Sequence, residues 1–147
     1  SAGQYEISIE GTLQGWQFNN AGDKLKMLDV KQWGVLDLST NAAFYGCTNL
    51  DASATDAPTV SSNTFVSMFR ECTNFDGAIG NWDISTVTFM NQCFYNSSTF
   101  NKSLNNWDVS KCFTTAHNLT ETYIVGILLT LRICNKCSTT ATYSTNL

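Results

Sequence analysis

The sequence predicts an α/β repeat solenoid, because three of its stretches align at a shift of about 25 residues and share apolar columns. The columns through all three copies are Phe44 with Phe69 and Phe94, Cys47 with Cys72 and Ser97, and Leu50 with Phe75 and Phe100. Those through the last two copies are Ile79 with Leu104, Trp82 with Trp107, Asp83 with Asp108, Ile84 with Val109, and Ser85 with Ser110. This period indicates a leucine-rich-repeat-like stack, since no single unit can bury its own apolar face. We expect about four to five rungs, each with a short parallel strand and a short helical or 3-10 turn.

The 147 residues suffice for a single domain, residues 1–147, with a moderate core. Residues 1–43 are predicted to form an N-terminal strand and degenerate first rungs, because end repeats are commonly atypical. Residues 44–118 carry the regular repeats. Residues 119–147 are predicted to form a C-terminal strand that serves as a cap or as an assembly segment.

The elements follow from local patterns, taken in chain order. Residues 5–10 alternate apolar and polar side chains, which predicts a half-buried strand that ends at Gly11. Residues 24–30 alternate again. Residues 51–63 contain the only proline and are predicted to be a longer connection or an irregular rung. In the regular part, strands are predicted at Thr86-Val87-Thr88 and Lys111-Cys112-Phe113, and helical turns near Met68-Phe69 and Gln92-Cys93-Phe94.

The composition favours an extracellular or cell-surface protein. Only 14% of the residues are charged and the net charge is -4, so the chain lacks the basic footprint that nucleic acid binding requires. The start at Ser1, Ala2 and Gly3 fits either removal of a signal peptide or simple trimming. No membrane span is expected, because the longest apolar run, 124–134, is too short and contains Arg132.

Two long phrases, residues 75–90 and 100–110, resemble the BspA-type leucine-rich repeat of surface proteins, which is close to FNQDLSNWDVSNVTNMSYMF. Residues 11–49 also resemble the segment that commonly precedes these repeats. The resemblance implies secreted or cell-surface proteins that act in adhesion and interaction without known catalysis. After Ser110 the expected continuation is missing, so the resemblance says little about the C-terminal quarter.

The paired tryptophans and aspartates each admit two interpretations. Trp82 and Trp107, one rung apart, could form an aromatic platform for sugars or could pack under the turn. Asp83 and Asp108 could act as a carboxylate pair for glycoside hydrolysis. Alternatively, each Asp in its D-x-S motif accepts backbone N–H groups at a turn.

Other catalytic and metal-binding patterns are weak, so we expect no enzyme activity, no cofactor and no metal. His117 has no Cys or Asp partner at ligand spacing. The C-x-x-C pair Cys134 and Cys137 lacks the second pair that a zinc site needs, which favours local or separate disulfides. Phosphate-binding, nucleophile-elbow and zinc-protease motifs are missing from the sequence.

The six cysteines suit an oxidising compartment, although an even count permits about 15 pairings. The disulfide candidates are Cys47, Cys72, Cys93, Cys112, Cys134 and Cys137. Equivalent positions on adjacent rungs lie about 5 Å apart, which is close to the Cα separation that a disulfide accepts. Cys47 and Cys72 therefore form either a bridge between rungs or two buried thiols in a core column.

Three sequons mark candidate glycosylation sites if the source has the pathway. They begin at Asn96, Asn101 and Asn118. Glycans there would supply hydration that the sparse charges do not.

The C-terminal segment 123–133 is apolar on both faces of a strand, and such a strand needs a cover. Tyr123, Val125, Ile127, Leu129, Leu131 and Ile133 share one face. A short stack has two open ends, and a head-to-tail contact that does not close produces a filament. The sequence thus predicts a structural or adhesive protein that assembles into an extracellular fibre, with assembly strands at Tyr5, Ile7, Ile9, Val125, Ile127, Leu129 and Leu131. The alternative is a monomeric adhesin or carbohydrate-binding module of a larger surface protein, which binds a host or environmental surface protein or a glycan.

Overall fold

A computed structural model describes residues 3–109 and 111–112 of the chain. Its regular elements are strand β1, Leu13–Gln14, a 3-10 helix, Lys24–Lys26, and strand β2, Leu36–Asp37. The two strands pair in parallel, with Leu13 opposite Leu36 and Gln14 opposite Asp37. The chain therefore makes one full circuit between β1 and β2 and returns beside itself in the same direction.

Further parallel contacts show that this return recurs along the chain. Isolated parallel bridges join Asp29 to Asp51, Asp37 to Thr59, and Thr64 to Phe89, so each bridge spans one circuit of the chain. These contacts divide the described residues into four layers, which we define as layer 1 (13–35), layer 2 (36–58), layer 3 (59–83) and layer 4 (84–109). Each layer contacts the next one through its backbone.

Backbone hydrogen bonds between layers follow an alternating pattern. Phe44 N donates to Met68 O at 2.9 Å, and Phe69 N donates to Cys93 O at 2.8 Å, in both cases to a carbonyl of the following layer. The intervening N–H groups close turns within their own layer, as Tyr45 N does to Ala42 O at 3.2 Å. Both sets of donors are therefore satisfied, which a buried backbone requires.

The predicted helical turns near residues 68–69 and 92–94 are wrong in detail, because left-handed residues interrupt them. The turns at 66–71 and 91–96 do not continue into helix. Residues with positive φ recur at equivalent positions of successive layers: Ala42 (54°), Ser67 (54°) and Gln92 (56°), then Gly46 (82°), Glu71 (59°) and Asn96 (57°). A right-handed helix cannot pass through such a residue.

The apolar columns predicted from the sequence form the core, which confirms that prediction. The Phe69 ring stacks between Phe44 at 5.4 Å and Phe94 at 5.6 Å, with interplanar angles of 9° and 6°. Phe75 likewise stacks on Phe100 at 5.7 Å. Because like side chains lie over one another, each layer completes the core of its neighbour.

The predicted strand positions in the regular part are not strands. Residues 86–88 form a turn and an extended link, and the pairing with layer 3 falls on Phe89 as a single bridge. Lys111 and Cys112 are helical, whereas Phe113 lies outside the described residues. The side chains repeat more faithfully than the backbone pairing does.

The N-terminal segment 5–10 is also not the half-buried strand that alternation predicted. Tyr5, Ile7 and Ile9 are 85%, 82% and 50% exposed, and no strand forms there. An ion pair of 2.6 Å between Glu6 and Lys31 holds the segment beside layer 1. Alternation of apolar and polar side chains indicates that the apolar face of a segment needs a partner. The described residues leave the apolar side chains of Tyr5, Ile7 and Ile9 exposed.

The leucine-rich-repeat class and the division into residues 1–43, 44–118 and 119–147 stay predictions. Residues 13–43 already belong to the same layered stack as the regular repeats, since β1 pairs with β2. The C-terminal strand predicted within 119–147 lies outside the described residues.

Candidate interaction surface

The indole rings predicted as a possible sugar platform are buried. Trp82 and Trp107 are 2% and 3% exposed. Trp107 Nε1 donates to Ile79 O at 3.0 Å, and the Trp82 ring meets Trp33 edge-on at 4.8 Å. The platform interpretation is therefore wrong, because neither ring presents a face on which a sugar could stack.

Trp33 is a core residue that the repeat pattern did not identify. It is 3% exposed and also contacts Phe44 edge-on at 5.8 Å. Trp33 precedes Trp82 by nearly two repeat lengths, and the aligned position in layer 2 has no tryptophan. A search for columns that skip one unit would have found it.

Asp83 accepts a backbone hydrogen bond from Ser85 N at 3.0 Å, which confirms the predicted D-x-S turn at this position. This hydrogen bond lowers the pKa of Asp83. A carboxylate held in its charged form is poorly suited to act as a general acid near neutral pH. Asp108, the other predicted member of the pair, is exposed.

Other aspartates join adjacent layers in a way that the sequence analysis missed. Asp37 accepts from Ser61 N at 3.0 Å and from Ser61 Oγ at 2.6 Å. Asp29 binds Ser53 through the same two groups, at 2.8 and 2.7 Å. The two pairs share one Asp-to-Ser spacing, which was visible in the sequence but lay outside the aligned copies.

Asp56 connects layer 2 back to layer 1. Its carboxylate accepts Trp33 N at 3.0 Å and Gly34 N at 2.7 Å. Desolvation raises the pKa of Asp56, but the backbone N–H donors outweigh it and leave the pKa below its usual value. These carboxylates thus hold adjacent layers of the stack together.

The cysteine column acts as a set of hydrogen-bond donors in this structure. Cys72 Sγ donates to Phe44 O at 2.9 Å, and Ser97 Oγ makes the equivalent hydrogen bond to Phe69 O. Cysteine and serine therefore share one task, which is to satisfy a carbonyl in the preceding layer. This explains why serine stands in the third copy.

The thiols of Cys47, Cys72 and Cys93 are buried and not bridged. Burial raises the pKa of Cys47 to about 12 and that of Cys112 to about 11, and it raises the pKa of Cys72 and Cys93 further. Such thiols are poor nucleophiles near neutral pH. The disulfides predicted from the sequence stay a prediction, which counting the free thiols before and after reduction would test. Cys134 and Cys137 lie outside the described residues.

The candidate glycosylation sites, unlike the paired tryptophans, lie on the surface where the structure describes them. Within residues 3–109 and 111–112, no group of three or more His, Cys, Asp or Glu side chains is placed to hold a metal ion. Asn96 and Asn101, at the first two sequons, are exposed, so both amides are accessible to modification. Asn118 and His117 lie outside the described residues.

A planar column crosses the surface of layers 2 to 4. The guanidinium of Arg70 lies 4.8 Å from the ring centre of Tyr45 and 5.1 Å from that of Tyr95. Its Nη1 also donates to Gln92 Oε1. Arg70 thus joins layer 3 to layers 2 and 4. Each cation–π contact at an exposed site stabilises by roughly 0.5–1 kcal/mol.

The most prominent unpartnered feature is the N-terminal strip, which we define as Tyr5, Ile7 and Ile9. These three apolar side chains alternate with polar ones in the segment 3–10, all of whose residues are exposed. Val35 and Leu28 of layer 1 are also exposed, at 56% and 41%. The N-terminal strip, together with these exposed residues of layer 1, is therefore the candidate interaction surface.

Residues 12–124 match the family described as "Mycoplasma protein of unknown function, DUF285", which covers well over half of the chain. The chain belongs to this family. No curated protein and no solved structure matched it.

The DUF285 match starts just before β1, so the N-terminal strip lies outside it. It ends at residue 124, beyond layer 4. Among the described residues, none of the helices has the length and apolar character needed to cross a membrane.

Proposed function

We propose that this protein is a non-enzymatic, secreted or cell-surface structural or adhesive protein, built as a BspA-type leucine-rich-repeat-like solenoid, whose copies associate head to tail. The exposed N-terminal strip is the observation that carries the proposal. An apolar extended segment in water favours main-chain and side-chain pairing with another chain.

The partner in this proposal is the C-terminal segment 123–133 of a second copy. That segment is apolar along its length and carries Arg132, whereas the strip is flanked by Glu6 and Glu10. Apolar side chains of the two segments match, and their charges are opposite. Because the surfaces differ, the contact is heterologous and repeats along an axis instead of closing into a dimer.

The layered contacts support the solenoid part of the proposal. Parallel pairing joins each layer to the next, stacked rings recur in layers 2 to 4, and the BspA-like phrases supply the columns. The buried Trp82 and Trp107 rings remove the feature on which a carbohydrate-binding module rested.

Light scattering of the full chain over rising concentration tests the association. We expect the mean mass to grow with concentration in the native protein, and Ile7→Asn to abolish that growth without lowering Tm, because Ile7 is 82% exposed. Phe89→Asn is the matched control, since Phe89 is also exposed but lies in layer 4, far along the chain from the strip.

A monomer at every concentration, in the native chain as in Ile7→Asn, would overturn head-to-tail association and leave a monomeric adhesin. Labelling of intact cells with an antibody against the chain tests the surface location separately. Antibody access only after lysis would contradict that location.

A further inference from the structure

Layer 1 leaves a core column open at its outer face, which is the face turned away from layer 2. Leu28 is the equivalent of Leu50, because the residues that follow them, Asp29 and Asp51, pair in parallel. Leu50 lies between layers 1 and 3 and is 0% exposed, whereas Leu28 is 41% exposed. A side chain of the inner column therefore reaches the surface where the described stack begins.

The residues that lead into layer 1 do not cover this face. Residues 3–12 are all exposed, and they leave Leu25, Leu28 and Val35 of layer 1 exposed as well. The end unit of a soluble solenoid ordinarily carries a polar outer face. Instead, six of the seven exposed large apolar side chains among the described residues lie within residues 5–35. Such a concentration of apolar surface is typical of an interaction site.

On one side of the stack, the backbone hydrogen bonds between layers all run in one direction. Phe18 N of layer 1 donates to Ala43 O of layer 2 at 2.9 Å. Asn20 N donates to Tyr45 O, also at 2.9 Å. Layers 2 and 3 donate to the layer that follows them in the same way. On this side, each layer thus turns its N–H groups toward the next layer and its accepting carbonyl groups toward the previous one.

The carbonyl groups of layer 1 on this side have no earlier layer from which to accept. In the later layers, each accepting carbonyl directly precedes a donor of its own layer, as Met68 O precedes Phe69 N. Gln17 O and Asn19 O hold this position in layer 1. Both residues are exposed, and no N–H group of the described residues donates to either carbonyl. The outer face of layer 1 therefore combines an apolar column with a row of hydrogen-bond acceptors.

This combination selects the kind of partner that fits the face. Two copies that met through their layer 1 faces would place Gln17 O and Asn19 O against other carbonyl groups, and buried acceptors without donors are costly. A layer that runs in the same direction as layer 1 supplies the missing N–H groups, as layer 1 itself does for layer 2. It also places an apolar side chain in line with Leu28. The face thus fits the opposite end of a similar stack and does not fit itself.

We propose that the outer face of layer 1 is the docking face for the far end of a second copy's stack. In this contact, main-chain N–H groups of the second copy donate to Gln17 O and Asn19 O, and an apolar side chain of that copy covers Leu28. The inference rests on the proposed head-to-tail association and names the contact through which the solenoid continues from one copy to the next. The N-terminal strip contributes to the same interface.

Light scattering of the full-length variant Leu28→Asn tests this contact. We expect the variant to show no growth of mean mass at concentrations where the mean mass of the native chain at least doubles. Its Tm should fall by less than about 5 °C, because Leu28 is partly exposed in the single copy. Phe89→Asn is the matched control, since Phe89 is 38% exposed, and it should retain the growth. Growth of Leu28→Asn equal to that of the native chain would overturn the contact.

Mixing the variant with the native chain tests the direction of the contact. A Leu28→Asn copy keeps its far end, so it can add to the layer 1 face of a native copy but cannot accept the next one. Sedimentation of fluorescently labelled native chain should therefore show the mean mass falling at least about twofold when an equal amount of the variant is added. An unchanged mass would mean that the variant binds no native copy, which would overturn a contact between unlike ends.

Carbonyl carbon resonances of the native chain supply a measurement that does not depend on any variant. A carbonyl that gains a hydrogen bond shifts downfield, so the Gln17 and Asn19 carbonyl resonances should move as the protein concentration rises. The Ala43 and Tyr45 carbonyls already accept hydrogen bonds from layer 1 and should stay in place. Unshifted Gln17 and Asn19 resonances in a sample whose mean mass grows would overturn the contact and leave the association itself intact. A native chain that is monomeric at every concentration would instead overturn the proposed association, and this contact with it.

Discussion

Layer 1 and layers 2 to 4 pack their aromatic rings in different ways. In layers 2 to 4, Phe44, Phe69 and Phe94 lie nearly parallel, at interplanar angles of 9° and 6° between successive rings. In layer 1, Trp16 meets Phe18 at 73°, and Trp33 meets Phe44 at 72°. Layer 1 has Asn19 at the position 25 residues before Phe44, so the column of stacked rings begins in layer 2. An aromatic residue at the equivalent position of each layer is thus what allows coplanar stacking.

Layer 1 buries fewer side chains than the later layers, and polar contacts join its edges to layer 2. Asp29 binds Ser53, Asp56 binds the N–H groups of Trp33 and Gly34, and Leu25 and Leu28 remain 53% and 41% exposed. Regions with few buried apolar contacts open first in local unfolding. We therefore expect hydrogen exchange to be faster in layer 1 than in layer 3.

Removal of a doubly stacked ring should have the largest effect. Phe69→Ala is expected to lower the free energy of unfolding by about 3–5 kcal/mol, because the cavity lies between two rings. Urea denaturation measures it. Phe89→Ala, at a residue that is 38% exposed, is the control and should cost less than about 1 kcal/mol. Equal costs for the two variants would show that the stacked column does not stabilise layers 2 to 4.

Alkaline pH should have the second-largest effect, a decrease in the free energy of unfolding caused by the buried thiols. Cys47 has its pKa raised from 9.0 to about 12, so its contribution to stability is complete below about pH 9 and is lost as pH rises toward 12. Each thiol ionised only in the unfolded chain lowers the free energy of unfolding by about 1.4 kcal/mol per pH unit.

Cys72→Ser sharpens this test, because Ser97 already fills the equivalent position with a hydroxyl. Urea denaturation between pH 8 and pH 11 should give a shallower decline for the variant than for the native chain. Identical slopes would show that Cys72 does not titrate with a raised pKa.

A methyl group at Gly80 should clash with the next layer. A Cβ there would lie 2.5 Å from Ser103 O, which is a backbone atom and cannot rotate away. Gly80→Ala is expected to lower the free energy of unfolding by about 1–3 kcal/mol. Gly3→Ala is the control, since its Cβ would meet only the Tyr5 ring at 3.8 Å. A neutral Gly80→Ala in thermal unfolding would mean that layers 3 and 4 can move apart.

Acid pH should have the smallest effect of these changes, a local loss of stability in layer 1. The pKa of Asp56 is lowered in the folded chain, so its contribution is present above about pH 3.8 and is lost as pH falls through the folded pKa. Hydrogen exchange of the Trp33 and Gly34 amides should accelerate below that pH relative to the amides of layer 3. Asp56→Asn should show faster exchange at neutral pH and little further acid effect. An unchanged rate in the variant would remove the role of Asp56.

The sequence predicted side-chain columns better than backbone conformation. Phe69 and Phe94 stack as predicted because burial depends on which residues are apolar and on their spacing. The left-handed turns at Ala42, Ser67 and Gln92 were not predictable, since none of these residues favours positive φ and only the neighbouring layer imposes it.

The candidate site was predicted only in part, for a similar reason. Alternation marked Tyr5, Ile7 and Ile9 as residues that need a partner, but it could not show that the chain leaves them exposed. Trp82 and Trp107 are both buried, but their equivalent positions in the repeat did not by themselves determine that they face inward.

The paired left-handed residues in each regular repeat make chain length a discrete quantity. Insertion of one residue between Glu71 and Gln92 would displace every later column relative to layer 3, and the positive-φ positions would fall on residues that avoid them. Insertion of a whole repeat would leave every contact type intact. The regular part of such a chain can therefore lengthen or shorten during evolution only by whole repeats. The length of any surface that it covers then changes in steps of one repeat.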